Sequence, residues 1–262
     1  GEYPEGTIVS TLRSGVLDED REILVHLPAG YADEPERRYP VIFVLDGSSQ
    51  DIHTASTSAL MARLGLMPPL IVVGIPNVSG EGRQRDYTPP TMATDLDIED
   101  SPRGGADRFL AFLKTELIPD IERRYRTTSE RMLAGHSRGG LFATWSLTAD
   151  PDLFQARFAH SPALWRDDTA IAGMLDSFLT ATPGLASFFY MSLGTKENAE
   201  MTAGFERVRA VLESRAPDGL RWRADLVPGA VHTNNGEWAT PLGFAALYRA
   251  ADGAPALTGV RT

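Results

Sequence analysis

Residues 131–147 constrain the fold more than any other part of the chain. The apolar stretch RMLAG runs into GHSRGG, and the helix-like stretch LFATWSL follows directly. Ser137 therefore lies between Gly135 and Gly139, with one residue separating it from each. G-x-S-x-G alone is a short and common pattern. A strand before it and a helix after it predict a sharp turn that exposes the serine hydroxyl at the carboxyl edge of a sheet.

Strand-like and helix-like segments alternate along the whole chain. The apolar patterns predict strands at 7–13, 21–27, 39–45, 69–76, 131–135, 156–162, 186–194 and 221–229. Helical spacing or composition follows most of them, and only one helix fits between residues 161 and 186. This alternation predicts an α/β fold with a mainly parallel sheet of about eight strands flanked by helices, in a single domain spanning 1–262 without a large cap domain.

Composition excludes several classes of partner. The chain has 262 residues, with 25 Lys and Arg against 35 Asp and Glu and a formal net charge of −10. It has no basic run, so neither nucleic acid nor an anionic membrane surface is an expected partner. The uncharged stretches at 64–80 and 177–195 are interrupted by prolines, and we expect no membrane span. The chain begins with Gly1 and not with Met, as a processed secreted protein or a trimmed chain would. The sequence does not assign a compartment, and an extracytoplasmic location is slightly favoured over a cytoplasmic one.

The absence of cysteine excludes disulfides, thiolate metal sites and a cysteine nucleophile. Among the five histidines, no ligand spacing favours a metal site, so we expect neither a metal nor another cofactor.

A nucleophilic serine requires a base, and two histidines follow Ser137. His160 ends the strand segment RFAH, which is early for the order serine, acid, histidine. His232 lies in PGAVHTNNG, the loop after the last predicted strand, where the base is expected. His136 neighbours the serine on a tight turn, so we expect it to point away and to pack.

The acid is expected in the turn after the strand SFFYMSLG. GTKENAE offers Glu197, three residues past Gly194, and Glu200, which lies where the next helix begins. A carboxylate at a helix start often serves the helix dipole, so Glu197 is preferred. Glu237 remains an alternative.

Two backbone N–H groups are expected to bind the oxyanion. One belongs to Arg138, the residue after the nucleophile, and the other to Ser48 in the turn LDGSSQ, which follows the third strand. The polar segment 77–105, with Arg83, Arg85 and Tyr87, is expected to cover the cleft. Those arginines could equally be solvated, or paired as Arg85 with Asp86.

Six motifs in order resemble the Putative esterase family of α/β hydrolases, and within it the enterochelin-esterase-like serine esterases. The motifs read VIFVLDGSS, RDYTPP, AGHSRGGLFA, SPALWR, SLGTKE and PGAVHTNNG, and the resemblance extends over about residues 7–250. Feruloyl esterases, S-formylglutathione hydrolases and mycolyltransferases are related. The resemblance implies the α/β-hydrolase fold, Ser137 as nucleophile, His232 as base and a carboxylate after SLG.

The resemblance also implies that Trp165 lies beside the acyl pocket. His53, Arg85 and Trp238 are further pocket candidates. Arg138 departs from the family, in which this position is often apolar or aromatic, and its side chain could favour a polar or anionic substrate.

These residues predict a serine hydrolase that cleaves small-molecule or polymer esters through an acyl-serine. An acyltransferase would use the same triad, and a non-catalytic binding protein could share the fold. The sequence does not determine the oligomeric state.

Overall fold

A single eight-stranded sheet forms the centre of the molecule. In the computed structural model, which describes residues 3–251, the strands are β1 (Ile8–Ser14), β2 (Glu19–His26), β3 (Tyr39–Leu45), β4 (Ile71–Ile75), β5 (Thr127–His136), β6 (Ala156–His160), β7 (Ser187–Gly194) and β8 (Leu220–Val227). Their order is β1-β2-β4-β3-β5-β6-β7-β8. Strand β2 pairs antiparallel with both β1 and β4. Every other pair of neighbouring strands, from β4 with β3 to β7 with β8, is parallel. The predicted mainly parallel sheet is therefore confirmed.

Helices cover both faces of this sheet. They are α1 (Gln50–Arg63), α2 (Gly80–Tyr87), α3 (Ala106–Phe112), α4 (Ile118–Arg124), α5 (Arg138–Ala149), α6 (Arg166–Ala181), α7 (Ala199–Arg215) and α8 (Asn235–Ala251). Alternation along β3 shows the two layers: Phe43 and Leu45 belong to the core cluster that includes α3 to α7, whereas Ile42 and Val44 belong to the cluster that includes α1 and α8.

Two segments differ from the prediction. Residues 77–105 are not loop throughout, because α2 forms within them, capped by Ser79, whose Oγ accepts a hydrogen bond from the Gly82 N–H. Phe109, Leu113 and Leu117 recur every four residues and predict one helix over 106–125. The structure interrupts it with a π-helical turn at Leu113–Leu117, and Pro119 lies in the first turn of α4. Proline costs little there, since its missing N–H would have no intrahelical partner.

The carboxyl ends of the parallel strands gather at one edge of the sheet. Strand β5 ends at His136, β6 at His160, β7 at Gly194 and β8 at Val227. The loops that follow these four strands supply most of the site described below. None of the helices formed by residues 3–251 is long and apolar enough to cross a membrane.

Candidate active site

Ser137 occupies a sharp turn between β5 and α5. Its backbone has φ 58° and ψ −118°, a conformation that non-glycine residues rarely adopt. The turn brings strand and helix so close that a Cβ at Gly135 would lie 2.1 Å from the Gly139 carbonyl oxygen. The Ser137 N–H donates to the His160 carbonyl at 2.9 Å, which helps hold the turn in place. Glycine at 135 is thus a steric requirement of this junction.

His232 connects Ser137 to a buried carboxylate. Its Nε2 lies 3.0 Å from Ser137 Oγ, and its Nδ1 lies 2.6 Å from Glu197 Oε1. The side chain of Glu197 is fully buried, whereas that of His232 is 41% exposed. Glu197, not Glu200 or Glu237, is the carboxylate in contact with His232. The catalytic roles of these three residues stay predictions.

The second oxygen of Glu197 is held by two further donors. Glu197 Oε2 accepts hydrogen bonds from Ser161 Oγ and from the Gly194 N–H, both at 2.7 Å. Burial raises the pKa of Glu197, but the hydrogen bonds from His232, Ser161 and Gly194 outweigh it and bring the pKa below its ordinary value. Glu197 is therefore ionised at neutral pH.

A buried polar network supports Ser161 from behind. Asn235 Nδ2 donates to Ser161 Oγ at 2.9 Å and to Ser192 Oγ at 3.1 Å, and Ser192 Oγ lies 3.0 Å from His160 Nδ1. Burial, reinforced by His53 and His136, lowers the pKa of His160 to about 3, so its ring is neutral. Sequence reasoning assigned no role to Ser161 and Asn235, although both lie within motifs that it singled out, SPALWR and PGAVHTNNG.

The remaining histidines have structural contacts. His136 Nε2 lies 2.7 Å from the His232 carbonyl oxygen, so His136 supports the loop that carries His232. His26 Nε2 lies 2.6 Å from Asp51 Oδ2, and His53 Nε2 lies 3.0 Å from Gln50 Oε1. Within the described part of the chain, no three His, Asp or Glu side chains cluster as metal ligands would.

A cavity of about 310 Å³ opens beside Ser137 and His232. Its wall includes Trp165, Arg83, Arg138, Ala163, Arg166, Asn198 and Glu200. The role of Trp165 beside an acyl pocket stays a prediction. Three predicted pocket residues are not part of the cavity wall. Arg85 pairs with Glu19 and Asp86, His53 contacts Gln50, and Trp238 is an exposed residue of α8.

The turn after β3 differs from the oxyanion-hole prediction. The Ser48 N–H donates to Asp51 Oδ1 at 2.7 Å, so it is not free to bind an oxyanion as expected. Ser48 has a positive φ of 76°, and its N–H points to the first turn of α1, where Asp51 lies. The N–H groups of Asp46 and Gly47 are also engaged, with Tyr87 Oη and the Ile75 carbonyl. The Arg138 N–H lies in the first turn of α5, where N–H groups have no intrahelical acceptor.

The sheet order, the serine turn after β5 and the later carboxylate and histidine define the α/β-hydrolase fold. A model of the Putative esterase family matches residues 14–221, and the chain belongs to that family.

Individual relatives agree with the family. Over 193 residues the chain is 32% identical to the ferri-bacillibactin esterase BesA of Bacillus subtilis, covering 68% of this chain and 65% of that protein. It is 27% identical to the siderophore triacetylfusarinine C esterase of Aspergillus fumigatus, again covering 68% and 65%. The chain thus spans 65% of the length of each of these relatives.

Among solved structures, an IroE-like serine hydrolase from Shewanella oneidensis superposes with a TM-score of 0.83 at 31% identity, covering 93% of this chain and 80% of that one. A BES protein from Bacillus cereus has a TM-score of 0.84 at 23% identity, covering 95% and 98%, and supports the fold.

Proposed function

We propose that this protein hydrolyses carboxylic esters through an acyl-serine intermediate. In this proposal Ser137 is the nucleophile, His232 the general base and Glu197 the carboxylate that orients the imidazole. The supporting observation is the continuous pair of hydrogen bonds, 3.0 Å from Ser137 Oγ to His232 Nε2 and 2.6 Å from His232 Nδ1 to Glu197 Oε1.

The reaction has two halves. His232 Nε2 takes the proton of Ser137 as Oγ attacks the ester carbonyl, and the Arg138 N–H donates to the oxyanion that forms. The carbon–oxygen bond to the alcohol then breaks, and His232 returns the proton to the departing alcohol. Water, deprotonated by His232, then attacks the acyl-serine. The bond between the acyl carbon and Ser137 Oγ breaks, His232 returns the proton to Oγ, and the acid and free Ser137 are released. Glu197 stays ionised throughout and stabilises the imidazolium.

We further propose that the substrates are small esters of the siderophore type. The names of two relatives, a ferri-bacillibactin esterase and a triacetylfusarinine C esterase, support this substrate class. The fold supports this class as well, since within the described segment between β6 and β7 the connection contains one helix, α6, and no cap domain.

The test combines turnover with covalent labelling. Initial rates are measured on p-nitrophenyl esters of increasing chain length and on a catecholate trilactone, with and without an added alcohol that would reveal acyl transfer. A fluorophosphonate should label the wild-type protein once, on the peptide containing Ser137, and should not label Ser137→Ala. Labelling of another residue, or turnover retained by Ser137→Ala, would refute the assignment of the nucleophile.

A further inference from the structure

Two arginine side chains meet on one backbone carbonyl in the wall of the cavity. Arg138 Nη1 donates to the Thr94 carbonyl oxygen at 3.0 Å, and Arg166 Nη2 donates to the same oxygen at 3.1 Å. Arg138 Nη1 also donates to Thr88 Oγ1 at 2.9 Å. The two guanidinium groups are therefore held side by side, next to Ser137.

Neither of these two guanidinium groups has a carboxylate partner. Among the residues that the structure describes, no Asp or Glu oxygen lies within 4.0 Å of a nitrogen of Arg138 or Arg166. Arg83, which lines the same cavity, is different, because Asp46 Oδ1 lies 2.7 Å from its Nε and neutralises its charge. The unpaired positive charge of the cavity is thus concentrated on Arg138 and Arg166.

The pKa values of Arg138 and Arg166 are both lowered, because both guanidinium groups lie in a partly buried site. Burial, together with Arg166 and Arg83, lowers the pKa of Arg138 to about 10, and burial lowers the pKa of Arg166 as well. Asp95 offsets part of both effects, and Asp97 and Glu200 act on Arg166, all from beyond contact distance. Both arginines remain charged at neutral pH, and a bound anion would relieve their repulsion.

The hydrogen-bonding capacity of the pair is also incomplete. Each guanidinium has five N–H donors, and the bonds to Thr88 and Thr94 use few of them. Arg166 is only 9% exposed, so solvent reaches little of it except from the cavity. A planar group with two anionic oxygens matches guanidinium donors of this kind.

We infer that Arg138 and Arg166 form an anion-binding subsite, and that the preferred substrate is an ester carrying a carboxylate-like group close to the scissile bond. This inference rests on the proposed ester hydrolysis, and it identifies a charge preference that the esterase reaction itself does not require.

Two matched ester pairs test the inference. In the first pair, mono-p-nitrophenyl glutarate carries a carboxylate on its acyl group, and p-nitrophenyl pentanoate is its neutral partner. In the second pair, 4-acetoxybenzoate carries the carboxylate on its alcohol group, and its methyl ester is the neutral partner. Uncatalysed hydrolysis of each ester is subtracted. We expect kcat/KM for the charged ester to exceed that for its neutral partner by about tenfold or more in at least one pair.

Arg166→Gln is the principal variant, since its backbone has no role in the reaction. We expect it to lower the ratio of charged to neutral kcat/KM by about tenfold, whereas Arg166→Lys recovers part of the ratio because it restores charge without the planar donor pair. Arg209→Gln removes one positive charge from α7, where Arg209 pairs with Glu206 and Glu213, and should leave the ratio unchanged.

The outcomes separate the two proposals. If neither member of either pair is hydrolysed, the proposed esterase function fails. If the neutral esters are hydrolysed as fast as the charged ones, or if Arg166→Gln changes both members of each pair equally, the anion subsite fails while the esterase function stands.

Discussion

The backbone of Ser137, the proposed nucleophile, is strained. Its φ of 58° and ψ of −118° cost a serine or alanine about 1–3 kcal/mol relative to relaxed backbone, whereas glycine tolerates them. We therefore expect the unfolding free energy of Ser137→Gly, measured by urea denaturation, to exceed that of Ser137→Ala by about 1 kcal/mol. Both variants should be inactive, with turnover reduced by about a thousandfold or more.

The control for this prediction is Ser214, an exposed residue of α7. In an ordinary helix alanine is more stabilising than glycine, so Ser214→Ala should be more stable than Ser214→Gly by about 0.5–1 kcal/mol. If the same order is found at residue 137, the turn is not strained.

Ser161 positions the acid without touching the substrate. Its hydroxyl donates to Glu197 Oε2 at 2.7 Å, and this bond is one cause of the lowered pKa of Glu197. Ser161→Ala leaves the carboxylate of Glu197 less stabilised, so the pKa of Glu197 rises. We expect the acid limb of the kcat/KM profile to move to higher pH, by about half a unit or more, together with a lower kcat.

The direction of the shift distinguishes positioning from general damage. A variant that merely folds less well loses activity at every pH and keeps the midpoint of its acid limb. Ser214→Ala serves again as the control and should keep the wild-type midpoint. An unchanged midpoint in Ser161→Ala would remove Ser161 from the proposed mechanism.

At the scale of elements, the contact between β5 and α5 depends on glycine. A Cβ at Gly135 would lie 2.1 Å from the Gly139 oxygen, a backbone atom that cannot move without shifting α5. We expect Gly135→Ala to destabilise the protein by about 2 kcal/mol or more, measured by chemical denaturation. In contrast, a Cβ at Gly173 of α6 would have no neighbouring atom within 4 Å, and Gly173→Ala should stabilise by about 0.5–1 kcal/mol. Equal effects at both positions would contradict the steric explanation.

Some elements could be predicted from the sequence and others could not, for physical reasons. The buried strands have uninterrupted apolar runs, and β3 is buried at all seven of its positions. Helix α2, with the sequence GEGRQRDY, has almost no apolar periodicity. It is held by tertiary ion pairs, Arg83 with Asp46 and Arg85 with Glu19, whose partners lie on distant segments. No local pattern reveals such contacts.

The same distinction applies to the site. The sequence predicts that Ser137, His232 and Glu197 lie close together. Each follows a parallel strand, and the carboxyl ends of parallel strands share one edge of the sheet. The sequence does not predict the contacts of Ser161, Asn235 and Arg166. These contacts depend on which strands are neighbours in the sheet and on where the segment after α2 lies. The oxyanion prediction for Ser48 failed for a local reason, since Asp51 three residues further on captures its N–H.

The protein as a whole has a net negative charge, the same sign as the substrate that its cavity is proposed to bind. The formal net charge is −10, whereas the cavity wall includes the unpaired guanidinium groups of Arg138 and Arg166. The acidic surface repels an anionic ester at long range, and the two arginines attract it at contact. Salt screens interactions beyond a Debye length of about 8 Å at physiological ionic strength, and it weakens partly buried contacts much less.

Ionic strength should therefore affect the two members of an ester pair differently. Between about 10 and 150 mM salt, we expect kcat/KM for mono-p-nitrophenyl glutarate to hold or to rise by about twofold, because screening reduces the long-range repulsion while the contact with Arg138 and Arg166 persists. The value for p-nitrophenyl pentanoate should stay constant, which controls for effects of salt on the enzyme itself. In Arg166→Gln the charged ester should remain a poor substrate at every salt concentration. A steep fall for the charged ester alone in the wild-type protein would show that long-range attraction dominates, and this balance of charges would then be wrong.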